Sequence, residues 1–394
     1  MKFDEGLISG LLDHNRKISG ILKKMKVIIV RGRGIDPAIY KMANSLAHNG
    51  YDVDLLLWDR QGTVKVDQFS GVSIKLFTFR APYDNPRIIF YLPIWWIYEF
   101  IYLLKNDSNI IHACDIDTIF PAVLVKMIKK VGLIYTIYDF YADLLSHQTP
   151  RCVRNLIAFF EKNMIRFTDT LILVDESRYA QIYGAKIRKI AYIYNTPLDR
   201  YKITQNPDNF SGLNTLTLFY AGIFLKDRGL EYILEAIKDL TDIKLIIAGF
   251  GPELEMICEY MKRYPEKLQY LGLLSYDEVI DNTLKADILF AFYDPCIPNN
   301  RYASPNKLFE SMMCGKPIIT NDRTSMAEIV RKENCGLVLP YGDISTIKQA
   351  ILKLKGDPEL CMQLGANGRN AYEQKYSWTI MEKRLIAVYE NLRN

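Results

Sequence analysis

No C-x-x-C pair occurs anywhere in this 394-residue chain. Its seven cysteines, Cys114, Cys152, Cys258, Cys296, Cys314, Cys335 and Cys361, are scattered and odd in number. That pattern excludes a zinc ribbon and a disulfide framework, and it predicts a reducing, cytoplasmic setting. A strong charge of one sign is also missing. The net charge of +5 is mild for 394 residues and argues for no nucleic-acid partner. Long apolar runs are absent too. The most apolar stretch, Ile88 to Leu104, is broken by Pro93 and Glu99 and barely reaches the length a spanning helix needs. It reads as a buried or partly exposed helix. A peripheral membrane contact is the second reading, since Tyr91, Trp95, Trp96, Tyr98 and Tyr102 carry rings that favour the headgroup layer. The opening residues show no secretory pattern, because Asp4 and Glu5 precede only a short apolar run. Leu7, Leu11, Ile18 and Leu22 fall on a helical stripe, which predicts a helical extension over 1–24 unless Met25 is the biological start.

The length points to two domains. Val27 to Val30 is a β-branched run of the kind buried on both faces of a parallel sheet. The loop Arg31-Gly-Arg-Gly34, a helix from Pro37 to Gly50 and a strand at Val53 to Trp58 complete a βαβ unit. The dinucleotide fingerprint G-x-G-x-x-G fails here, because Pro37 stands at the third glycine, and fails again at Gly249 to Leu254. NAD is therefore not expected. Further strands are read at Asn109 to Ile111, Leu133 to Ile137, Thr170 to Val174 and Tyr192 to Tyr194. A polar linker over 198–214 then opens a second alternation, with strands at Leu216 to Ala221, Lys244 to Ala248, Leu268 to Leu271, Asp287 to Phe292, Pro317 to Thr320 and Gly336 to Leu339. The predicted fold is α/β, two doubly wound Rossmann-like domains facing a central cleft. Asp115-Ile-Asp117 has the carboxylates a magnesium or manganese site needs, but Asp117 serves equally to cap the next helix.

The densest chemistry lies in Ser304-Pro-Asn-Lys-Leu-Phe-Glu310 and the residues up to Thr320. Ser304 and Pro305 read as a helix start, and Leu308, Phe309, Met312 and Met313 as its apolar face. A helix N-terminus suits a phosphate; Lys307 adds a full charge, and Glu310 can accept bonds from a ribose. The plain alternative is a capped helix with a Lys307–Glu310 surface pair.

With FYAGIFLKDRGLEYILEAI, IKLIIAGFGPE, SPNKLFESMMCGKPII and YSWTIMEKRLIAVYENL in order, residues 25 to about 390 resemble the family 4 glycosyltransferases of GT-B fold. The resemblance implies an N-terminal acceptor domain over 25–197, a nucleotide-sugar domain over 215–376, and a last helix over 377–394 crossing back. It also implies transfer with retention, without a metal or cofactor, from a UDP- or GDP-linked sugar to a glycan or lipid-linked acceptor. Cell-surface polysaccharide synthesis at the inner face of the membrane is the implied setting. On this likeness Glu310 matches the second glutamate of E-x7-E and binds the ribose. Ser304, Pro305, Asn306 and Lys307 match the turn that meets the diphosphate. Arg228 stands where a phosphate-binding lysine is usual, and arginine preserves that role with two parallel bonds; an ordinary i,i+3 pair with Glu231 is its plain reading. Leu273 matches a base-reading backbone position; Gly222 and Gly251 lie in glycine turns beside the cleft. Gly34 belongs to the N-terminal glycine loop, where Arg31 and Arg33 either balance the diphosphate from the facing domain or simply solvate the loop.

The chain departs from the family at three places. Tyr302 replaces the first glutamate, Tyr138 the active-site histidine, and Ile223 an arginine. Asp139 is then the best carboxylate for orienting an acceptor hydroxyl, with helix capping as its plain role. Tyr138 is a poor base. His112 either touches the acceptor or is a satisfied core histidine, and Asn300 and Tyr302 line the sugar pocket. These departures leave a catalytically inactive nucleotide-sugar-binding partner as the alternative function.

Overall fold

A computed structural model describes residues 24–34, 36–64, 71–82, 86–145, 149–199 and 215–393. The expected helix over 1–24 lies almost wholly outside them, as does most of the linker over 198–214. The N-terminal domain runs β1 (Lys26–Arg31), α1 (Pro37–His48), β2 (Asp52–Trp58), β3 (Val72–Phe77), α2 (Leu92–Lys105), β4 (Ile110–Cys114), α3 (Ile116–Lys129), β5 (Gly132–Ile137), α4 (Tyr141–Leu144), α5 (Arg151–Ile165), β6 (Thr170–Leu173) and β7 (Ile190–Tyr192). Its strands pair in the order β3-β2-β1-β4-β5-β6-β7, every pair parallel.

The C-terminal domain runs β8 (Leu216–Ile223), α6 (Leu230–Ile237), β9 (Ile243–Phe250), α7 (Leu254–Arg263), β10 (Leu268–Tyr270), α8 (Tyr276–Lys285), β11 (Ile288–Ala291), α9 (Pro298–Arg301), α10 (Asn306–Met313), β12 (Ile318–Asn321), α11 (Ser325–Glu333), β13 (Gly336–Leu339), α12 (Ile344–Gly356), α13 (Pro358–Ala371) and α14 (Trp378–Glu390). The parallel order is β10-β9-β8-β11-β12-β13. Each sheet reverses its winding once, between β1 and β4 and between β8 and β11, and ligands bind beyond the strand ends at such points.

Two elements depart from the sequence reading. β3 was not foreseen, because VSIKLF forms an edge strand that stays half-exposed and has no solid apolar run. The apolar stretch splits into a 3-10 turn at Pro86–Phe90 and the helix α2, where Pro93 sits in the first turn and loses no bond. Among the described residues no helix is long and apolar enough to cross a membrane.

The domains are joined by an apolar hinge. Tyr194, Phe309 and Tyr376 meet ring to ring, at centroid distances of 5.7, 5.5 and 5.4 Å. α14 lies on the N-terminal domain: Trp378 Nε1 donates to Ser45 Oγ at 3.0 Å and Arg384 to the Tyr192 carbonyl at 3.0 Å. Lys41 is buried there, donating to Asn195 Oδ1 at 2.9 Å and to the Thr196 carbonyl, with its ammonium 4.8 Å from the centre of the Trp378 ring. Arg369 ties the passing chain down through Asp199 and the Met313 carbonyl, both at 2.6 Å.

Candidate active site

Asp139 follows β5, Arg178 follows β6 and Asn299 follows β11. These three touch, so the C-terminal strand ends of the two sheets face each other across one cleft.

On the C-terminal side the floor is made by glycines at the ends of β8 and β9. A Cβ on Gly249 would stand 1.9 Å from the Gly222 carbonyl oxygen, so the two backbones touch only because Gly249 has no side chain. A Cβ on Gly222 would stand 2.7 Å from Lys307 Nζ, which places the ammonium directly over that glycine. Lys307 also lies 4.4 Å from the centre of the Tyr220 ring. Burial brings Lys307 down to about 8, with Glu310 opposing that shift and Arg228 adding to it. Two neighbouring, partly buried cations are arranged for an anion.

The start of α10 corrects one expectation. Pro305, not Ser304, is the cap position, the helix begins at Asn306, and no side chain caps it. The Ser304 hydroxyl turns instead toward Asp175. This helix end therefore keeps its N–H groups for a ligand. Glu310 is buried one turn on; burial raises its carboxyl, while Lys307, Lys41 and a hydrogen bond from Tyr276 restrain the rise.

Arg228 does not pair with Glu231. It donates to Asp227 at 2.5 Å and Asn300 Oδ1 at 3.2 Å, with its guanidinium 4.1 Å from the centre of the Tyr293 ring. Asn300 is buried and also donates to Asp227 at 2.8 Å, so its role is to fix Arg228 rather than to line a sugar pocket openly. Tyr302 closes α9 and is half-buried. Leu273 is 73% exposed, just after Gly272, whose carbonyl accepts the Gly249 N–H at 2.8 Å. Gly251 lies where a Cβ would meet the Phe224 backbone, at 2.4 Å from its oxygen.

On the N-terminal side, three expectations change. His112 is fully buried, with Nδ1 2.6 Å from the Tyr389 hydroxyl and Nε2 2.6 Å from Thr136 Oγ1. Burial takes its pKa down to about 3. It is a core histidine that holds α14, and it does not touch an acceptor. Arg31 is also internal, bound to Asp115 at 2.5 Å and Asp36 at 2.9 Å, with its guanidinium over the Tyr138 ring. Arg33 stays half-exposed. Tyr138 is no base, since burial pushes its hydroxyl well above the usual tyrosine range. The Asp-x-Asp carboxylates are each taken by an arginine: Asp115 by Arg31, and Asp117 by Arg60 at 3.1 Å. Gly34 packs toward Val64 in the loop after β1, whereas Gly32 faces the Asp117 carboxylate directly.

Asp139 remains in the cleft and caps no helix. Its carboxylate accepts from Arg178 and Asn299, both at 3.1 Å. Burial works to raise it, yet Arg178 and Asn299 leave it below the ordinary carboxylate value. The sequence reading missed Arg178, Asn299, Lys41 and the Tyr220 and Tyr293 rings. The polar run Asn299-Asn300-Arg301 ahead of Ser304 was the one visible signal for any of them.

Residues 203–371 match the family model of group 1 glycosyl transferases. An uncharacterised glycosyltransferase of Methanocaldococcus jannaschii is 26% identical over 298 residues, 73% of this chain and 79% of that protein. A GDP-mannose-dependent monoacylated α-(1-6)-phosphatidylinositol monomannoside mannosyltransferase of Corynebacterium glutamicum is 26% identical over 170 residues. That match spans 42% of this chain and less than half (44%) of that protein. Sucrose-phosphate synthase of Thermosynechococcus elongatus superposes with a TM-score of 0.78 over 94% of this chain and 99% of its own, at 17% identity. The group 1 glycosyl transferase match thus falls on the C-terminal half, and the two parallel-sheet domains together have the GT-B fold.

Proposed function

We propose that the protein is a retaining glycosyltransferase of family 4, in enzyme class 2.4, moving a sugar from a nucleotide-diphospho-sugar to a glycan or lipid-linked acceptor. The observation that carries this reading is the meeting of Lys307 Nζ with Gly222 beside the uncapped start of α10, with Arg228 close by. The donor, UDP- or GDP-linked, is a substrate and not a cofactor. Its diphosphate lies on the α10 N-terminus, and Lys307 and Arg228 stabilise the charge that builds as it leaves. Glu310 exchanges its bond from Tyr276 for the ribose hydroxyls. Asp139 orients the acceptor hydroxyl, whose proton passes to the departing phosphate, so no strong protein base is required. Asp115 and Asp117 are neutralised by arginines, which fits transfer without a metal at that pair. The setting is the cytoplasmic face of the membrane, in polysaccharide or glycoconjugate synthesis.

A thermal-shift screen of UDP, GDP, ADP, CMP and their sugar conjugates tests the donor site. A ligand at a hundred times its Kd adds about 2.7 kcal/mol. A shift with one nucleotide family, followed by transfer to an acceptor with the anomeric configuration kept, is the expected result. Nucleotide binding without transfer to any of a broad acceptor panel would replace this reading with a non-catalytic binding partner.

A further inference from the structure

Helix α10 belongs to the C-terminal domain, yet the N-terminal domain meets it along its length. Asp175, just after β6, faces the Ser304 hydroxyl ahead of the helix. The Tyr194 ring stands edge-on to Phe309 at 5.7 Å. Ile39 and Met42 of α1 share one core with Leu308, Phe309 and Met312. Lys41 comes between those two α1 residues, and its ammonium is buried at the hinge against the Trp378 ring.

A buried ammonium is costly unless something compensates it. Its two hydrogen bonds go to neutral groups, Asn195 Oδ1 at 2.9 Å and the Thr196 carbonyl. Burial lowers Lys41 to about 7, and the carboxylates that oppose this are Asp36, at the start of its own helix, and Glu310, on α10. Asp36 already accepts from Arg31 and from the Ile39 N–H, both at 2.9 Å. Glu310 is thus the carboxylate that Lys41 serves across the domain boundary. The coupling is mutual, because Lys41 in turn restrains the rise of Glu310.

Glu310 therefore feels two cations, one from each domain, and they divide the work. The charges acting on Lys307 are Glu310 and Arg228, not Lys41, so the two lysines are near Glu310 without being near each other. A carboxylate accepts its strongest bonds from hydroxyls when ionised. On the function proposed above, a diphosphate beside Lys307 brings negative charge of its own and offsets what Lys307 gives Glu310. Lys41 keeps its help in the loaded site. We infer that Lys41 is a positioning residue for donor binding: from the N-terminal domain its ammonium readies the Glu310 carboxylate for the ribose hydroxyls, so ribose recognition is complete only with the domains closed. This rests on the role proposed above for Glu310.

The test is titration calorimetry of the full chain with UDP and GDP and with their 2′,3′-dideoxy forms, at about pH 6.5, where the ammonium stays charged. Lys41→Gln keeps a donor for the Thr196 carbonyl and removes the charge. It should weaken the ribose nucleotide about fivefold and leave the dideoxy form unchanged. With Glu310→Gln already in place, it should cost nothing further. Lys41→Met, which keeps the stem against Trp378, is the second variant if the first does not fold. Equal losses for the ribose and dideoxy forms, or an undiminished loss in the Glu310→Gln background, would reduce Lys41 to a hinge support and overturn the inference. A ribose preference lost in Glu310→Gln but kept in Lys41→Gln strikes Lys41 alone. A preference that ignores Glu310→Gln, or a parent chain that binds neither nucleotide, strikes the donor site proposed above and Lys41 with it.

Discussion

The Asn299 amide of the C-terminal domain donates to the Asp139 carboxylate of the N-terminal domain at 3.1 Å, across the cleft. Arg178 completes the junction, reaching Asp139 at 3.1 Å and Asn299 Oδ1 at 3.3 Å. The same carboxylate that would orient an acceptor also latches the domains. On the function proposed above, an acceptor hydroxyl entering the cleft would compete with Asn299 for it.

Asn299→Ala should therefore loosen closure. A hydrogen bond to a charged group is worth about 1.5–3 kcal/mol, enough to populate an open form while the apolar hinge at Tyr194 and Phe309 stays intact. Small-angle scattering should show a larger radius of gyration than for the parent chain. An unchanged radius would mean that the latch does not hold the domains.

Lys307→Ala should weaken nucleoside diphosphate binding by a factor of ten or more, since a buried charge-assisted contact is lost (on the order of 1.5–3 kcal/mol). The parent protein should show a matching pH effect. Free Lys307 loses its proton above about 8, while a bound diphosphate requires the ammonium. Nucleotide affinity should thus fall as pH rises past 8, with proton uptake on binding, and the alanine variant should lack both. Titration calorimetry in buffers of different ionisation enthalpy measures the uptake directly.

Gly249→Ala and Gly222→Ala should fail differently. At Gly249 the new methyl collides with the Gly222 carbonyl, a fixed backbone atom, so a loss of about 1–3 kcal/mol or more is expected in chemical denaturation. At Gly222 the nearest obstacle is the movable end of Lys307. That variant bears the backbone strain of a φ of +153° but no fixed clash, so it should lose less stability than Gly249→Ala, with weaker nucleotide binding. Equal stabilities for the two would contradict the contact between the glycine turns.

His112 should make the fold acid-sensitive. Its pKa is about 3 in the folded chain and near 6.5 unfolded, so the unfolded state binds the extra proton between those values. Stability contributed by neutral His112 is complete above about 6.5 and is lost as pH falls, by about 1.4 kcal/mol per unit. Melting curves across pH 7 to 4 should show a shallower decline for His112→Gln. Tyr389→Phe, which strips a partner from the buried ring, should cost about 1–3 kcal/mol at neutral pH. A parallel decline for the His112 variant would assign the acid sensitivity to other groups.

Much of the architecture is local chemistry, and so was legible in the sequence. β-branched runs such as Val27 to Val30 bury on both faces, and glycines after them turn the chain, so the alternation alone dictates two parallel sheets. Lys307 and Glu310 were readable for the same reason: helical spacing puts them on one face beside a helix start. What only the tertiary structure decided was which polar groups find partners far along the chain. Arg31 opens a glycine loop and His112 sits near the end of β4, both like active-site residues, but Tyr389 lies 277 positions from His112 and Asp115 lies 84 from Arg31, and these partners make both residues internal. Asn299 and Arg178 show the converse: unremarkable in sequence, they meet at Asp139 because the domains close on each other. Burial sets the balance in each case, since a polar group leaves water only where a partner waits, and no short stretch of chain records where that is.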